Sequence, residues 1–133
     1  MKIKKTIASL LICGAVMGSM GVTASARYIR EFANISAVVG TDTKVSNNPL
    51  MKCGSTNAVF NYSGGNSSGD SSLVTATIRN SDNAYRGSCS ADKGERKVFS
   101  TSASINYYYD LYVSKTYSGS SILVSGSWSP DEE

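Results

Sequence analysis

Asn106-Tyr-Tyr-Tyr-Asp-Leu-Tyr-Val-Ser-Lys115 and Ser121-Ile-Leu-Val-Ser-Gly-Ser-Trp128, with Tyr117-Ser-Gly-Ser120 between them, decide the fold class. Each run alternates at period two, the repeat of a strand with one face buried. In the first, Tyr107, Tyr109, Leu111 and Val113 share a face, and Tyr108, Asp110, Tyr112 and Ser114 take the other. In the second, Ile122, Val124, Gly126 and Trp128 oppose Leu123, Ser125 and Ser127. A short Gly-containing connection between two such runs predicts a β-hairpin.

The same period recurs upstream. Val74, Ala76 and Ile78 form a stripe in 72–79, and Ala58, Phe60 and Tyr62 form one in 57–62. Phe99, Thr101, Ala103 and Ile105 form a third in 97–105, and the stretch from Tyr28 to Val39 reads as a further strand in preference to a short amphipathic helix. Asn80-Ser-Asp-Asn83 and Ser90-Ala-Asp-Lys-Gly94 are turn clusters, and 63–70 reads as a flexible loop. Ser, Thr, Asn and Gly supply 46 of the 107 residues from Arg27 onward, a composition that weakens helices. The expected fold is all-β: a small antiparallel sandwich or barrel of six to eight strands.

The chain has 133 residues. Lys2, Lys4 and Lys5 precede an uncharged, largely apolar stretch that closes with Ala24-Ser-Ala26. This is the pattern of a secretory signal peptide cut between Ala26 and Arg27. The expected organisation is a leader over 1–26, a secreted β domain over 27–128 and a loose acidic tail over 129–133. Gly14, Gly18, Gly21 and the cleavage pattern weigh against a retained membrane anchor. Without the three leader lysines, ten basic residues face ten acidic ones. That balance gives no electrostatic case for nucleic acid or for stable binding to an anionic membrane.

Cys13 lies in the leader, which leaves Cys53 and Cys89. An even pair in an exported chain reads as one disulfide, with two free thiols or a two-cysteine metal site as the alternatives. Closing a loop of this length contributes about 4 kcal/mol in the chain-entropy treatment.

Chemistry is constrained by what is missing. There is no histidine, so the usual general base of a nucleophilic triad is absent. Lys44, Lys52, Lys93, Lys97 and Lys115 read as solvated surface and not as partners for a catalytic serine. Asp110 lies between two tyrosines but reads as part of a polar outer face, and Gly69-Asp70 and Asp82-Asn83 read as turns more readily than as calcium ligands. Neither enzymatic activity nor a cofactor or metal is expected. The most suggestive feature is the tyrosine-rich end of the chain. Tyr108, Tyr112 and Trp128 are the candidate binding surface, since exposed aromatic rows stack on sugars or anchor proteins. The partner expected is a cell-wall glycan or a surface protein.

The run Tyr107–Lys115, followed after a short turn by Val124-Ser-Gly-Ser-Trp-Ser-Pro-Asp131, resembles small secreted proteins of Gram-positive bacteria. These end in a V-S-G-x-W strand followed by acidic residues, and some lie near bacteriocin-type export genes. The resemblance implies a secreted β-rich domain and assigns no functional residue. The function expected is that of a small secreted, non-enzymatic binding or effector protein at or outside the cell surface. The alternative is a bacteriocin-like antimicrobial.

Overall fold

A computed structural model describes residues 27–65 and 73–132. The expected leader, its Ala26 boundary, and the loop from Asn66 through Asp70 lie outside the described residues. Those described form nine strands and no helix: β1 (Arg30–Ala37), β2 (Thr43–Lys44), β3 (Leu50–Met51), β4 (Ala58–Gly64), β5 (Val74–Asn80), β6 (Tyr85–Ala91), β7 (Arg96–Phe99), β8 (Tyr108–Lys115) and β9 (Ile122–Ser129). They pair antiparallel in two sheets. One has the order β1-β9-β4-β7, and in the other β2 and β3 lie on one side of β8, with β5 and then β6 on its other side. The all-β, sandwich-like expectation is met, but with nine strands among the described residues and not six to eight, because the short β2 and β3, too brief to carry a stripe, add to the second sheet.

The apolar stripes meet between the sheets. Phe60, Tyr62, Val124 and Trp128 come from one side, and Val74, Ala76, Ile78, Leu111 and Val113 from the other. Phe32 and Phe60 stack with centroids 6.2 Å apart. Fully burying each such side chain contributes about 1.5–3 kcal/mol.

The predicted hairpin is not formed. β8 pairs with β2, β3 and β5, whereas β9 pairs with β1 and β4. The intervening chain crosses from one sheet to the other, so the stripes of β8 and β9 face each other across the core instead of lying side by side. The hairpin that does form is β5–β6. There Asn80 Oδ1 accepts from the amides of Asp82 and Ala84, and Asn83 takes a left-handed φ of 65°. Strand β7 ends at Phe99, short of the expected 105. The following chain crosses to β6, where Ser102 N–H donates to Arg86 O. Tyr109 holds this crossing from within the core, its hydroxyl accepting from Ser104 N–H at 2.7 Å.

The tail from Ser129 is not loose as far as Glu132. Ser129, Pro130 and Asp131 are buried. Lys52 and Lys115 are buried as well, against the expectation of solvated lysines. Lys52 Nζ donates to Thr56 O at 2.6 Å, Pro130 O at 2.7 Å and Asp131 Oδ1 at 3.0 Å. The Asp131 carboxylate also accepts from the amides of Cys53 and Gly54. Arg27 closes the knot by donating to the carbonyls of Asp131 and Glu132. A buried charge is tolerable when its hydrogen-bonding capacity is satisfied in this way.

The Cys53–Cys89 disulfide is not formed, and Cys89 is a free thiol. The sheet register explains why. Cys89 is level with Ala76 and Val113, whereas Lys52 N–H bonds Tyr107 O, six residues along β8 from Val113. At about 3.3 Å per residue and about 4.8 Å between strands, the two cysteines are about 20 Å apart along the sheet and three strands apart across it. A disulfide needs Cα atoms within about 7 Å. Burial against the core pushes the Cys89 thiol up to about 12, with Lys97 opposing the shift.

Candidate functional site

Strand alternation sends Tyr108, Asp110, Tyr112 and Ser114 of β8 outward, while Tyr109, Leu111 and Val113 enter the core. The neighbouring register builds a face around them. Lys44 and Thr77 flank Tyr112, and Arg79 flanks Asp110. On β6, Tyr85 lies beside Arg79 and Ser88 beside Thr77.

The polar groups on this face are tied together. Arg79 sits over the Tyr112 ring, 5.8 Å from its centroid, and pairs with Asp42 at 3.0 Å. Tyr85 and Ser88 hydroxyls are 3.0 Å apart. Asp110 is only 8% exposed; its Oδ2 faces Lys44 Nζ at 3.5 Å, and its Oδ1 is buried with no hydrogen-bond partner. These contacts hold the Tyr85 and Tyr112 side chains against the sheet. Tyr85 and Tyr108 stand furthest out, at 58% and 49% exposed.

The three residues expected as one surface separate. Tyr108 and Tyr112 share this face. Trp128 does not: it lies on β9 in the other sheet, points into the core and is 2% exposed. Tyr107 leaves the alternation. It precedes β8, follows Asn106 at a left-handed φ of 72°, and is exposed. Sequence reasoning missed Tyr85, Arg79 and Lys44, which reach the face only through pairing between distant strands.

The opposite sheet carries a second polar feature on its outer surface. Glu31, Ser127 and Asn61 lie in one row across β1, β9 and β4. They border a depression of about 310 Å³ together with Ser63 and Ser125. Among the described residues no three His, Cys, Asp or Glu side chains cluster as a metal site, and no helix is long and apolar enough to cross a membrane. No known protein family, curated protein or solved structure matches the chain.

Proposed function

We propose that this chain is an exported, non-enzymatic binding or effector protein. It works at or outside the cell surface and presents the outer face of the β8-bearing sheet to a cell-wall glycan or surface protein. The observation that carries the reading is the outward aromatic set of Tyr108, Tyr112 and Tyr85. Rigid aromatics give large contact area at small entropic cost, and they are enriched among residues that dominate binding energy. The leader pattern over 1–26 supports export, and the missing histidine favours binding over catalysis.

The test begins with the protein recovered from producing cells. Its N-terminus should be Arg27, and it should be retained on purified cell walls or intact cells. Replacing both Tyr85 and Tyr108 with Ala should weaken retention by at least about tenfold, equivalent to about 1.4 kcal/mol. Both side chains are exposed, so the fold should survive. Equal retention of the variant and the parent, or no retention of either, refutes the reading.

A further inference from the structure

Strand β9 runs between β1 and β4, and both neighbours bulge beside the same residue. Phe32 and Tyr62 each pair with Gly126. Beyond them the register jumps, to Ile35 against Val124 on β1 and to Gly64 against Ser125 on β4. Each bulge inserts unpaired backbone and bends its strand. Asn34 takes a φ of 55°, and its N–H donates to Ser125 Oγ at 2.9 Å. At the centre Gly126 has no side chain, and a Cβ there would collide with the Asn61 carbonyl. Two bends around a residue without a side chain leave the depression of about 310 Å³.

Its size lies at the lower end of small-molecule pockets, about 300–1,000 Å³. Phe32 and Gly126 line it along with the polar residues. The Glu31–Ser127–Asn61 row places a carboxylate, a hydroxyl and a carboxamide side by side across three strands, about 10 Å in all. None of these three side chains has a hydrogen-bond or ion-pair partner among the described residues. The carboxylate only accepts, whereas the carboxamide and hydroxyl both donate and accept. An anion would be repelled by Glu31. A hard cation wants about six to eight oxygen ligands, usually with several carboxylates, and one carboxylate is a thin set. A ring bearing several hydroxyls, each both donor and acceptor, matches the row.

We propose that this depression binds a single neutral pyranose unit, free or at the end of a glycan. The proposal is independent of the tyrosine face, which belongs to the other sheet. The probes are the methyl glycosides of glucose, galactose, mannose and N-acetylglucosamine, titrated into the 15N-labelled intact chain and followed by amide shifts. A ligand of this size is expected near a Kd of about 1 mM. Saturable shifts should be confined to the amides around residues 31, 61–63 and 125–127 and to the Asn61 carboxamide. Asn61→Ala should weaken binding at least about tenfold, and Tyr108→Ala should leave it unchanged. Glu31→Ala, at an exposed position, serves as the second variant if Asn61→Ala loses spectral dispersion, and it too should weaken binding. A tetramer of the preferred sugar that shifts the same amides with higher affinity points to a glycan end, and equal affinity points to the free sugar. No saturable shift with any probe overturns the proposal, as does binding that neither variant changes, or shifts confined to the tyrosine face. Loss of cell-wall retention alone overturns only the tyrosine-face reading.

Discussion

Asp131→Ala should be among the most damaging single substitutions in this chain, although Asp131 lies beyond the last strand. The Asp131 and Lys52 side chains are 2% and 3% exposed. Removing the carboxylate leaves the Lys52 ammonium with only the carbonyls of Thr56 and Pro130, and it strands the amides of Cys53 and Gly54. Breaking a buried pair by deleting one partner costs about 3–5 kcal/mol. Each orphaned amide adds a desolvation cost of about 1–3 kcal/mol where it cannot reach water. These terms overlap, so about 4 kcal/mol is the expected loss. Small domains have only about 5–15 kcal/mol in total. With a urea slope of about 1.5 kcal/mol/M, the unfolding midpoint should fall by about 2.5 M, followed by tryptophan fluorescence of the buried Trp128. Asp131→Asn keeps one oxygen able to accept from a stranded amide and should lose less. Glu132→Ala is the control, since the Glu132 backbone N–H, not its side chain, bonds Thr56 Oγ1. It should change stability by less than about 0.5 kcal/mol. If Asp131→Ala unfolds within about 1 kcal/mol of the parent, the segment after β9 is not pinned by this pair and the reasoning fails.

Three further predictions concern the core and its edge. Gly126→Ala should destabilise by about 1–3 kcal/mol in the same urea experiment, because the new methyl collides with the Asn61 carbonyl, which belongs to a paired strand and cannot rotate away. A stability equal to that of the parent would show that β4 and β9 separate freely. Cys89, with its thiol held up to about 12 against an ordinary 9.0, should resist iodoacetamide in the native protein at pH 8.5 and react in urea, as read by peptide mass. Between pH 9 and about 12 the unfolded chain releases this proton more readily than the folded one, so stability should fall as pH rises through that window. Cys89→Ser, which moves the titration out of the range, should flatten this part of the profile. An unchanged slope would refute the assignment.

The strands with strong stripes were legible. Ala58/Phe60/Tyr62, Val74/Ala76/Ile78, Leu111/Val113 and Ile122/Val124/Trp128 all enter the core, as their alternation requires. Strand β6 was not, because its inward residues Gly87, Cys89 and Ala91 are too small to make a stripe; it forms because β5 needs a partner on its second edge. The hairpin expectation failed because alternation specifies which face of a strand is buried but not which strand lies beside it. Trp128 was misplaced for a related reason: an apolar residue at the end of a stripe serves equally as core or as anchor, and the Phe32–Phe60 stack sits where it can be covered. The tail misled through its charge. Asp131 is acidic and near the terminus, and only its meeting with Lys52, 79 residues away, makes it a core residue.

That meeting follows from topology. The last strand in the sequence is an interior strand of its sheet, with β1 on one side and β4 on the other. Neither β1 nor the β4–β7 pair has an apolar partner on that side until β9 arrives. The first sheet is therefore assembled from segments drawn from the beginning, middle and end of the chain, and loop-closure entropy must be met before those contacts repay it. Asp131, two residues beyond β9, anchors that strand to the segment around Lys52. The C-terminal end of β9 carries Trp128, which is buried in the same core as the stacked Phe32 and Phe60. Lys52 and Arg27 hold that end from two other parts of the sequence. Both faces on which the functional readings rest depend on this closure: the depression contains Gly126 and Ser127 of β9, and the tyrosine face rests on a core that β9 completes.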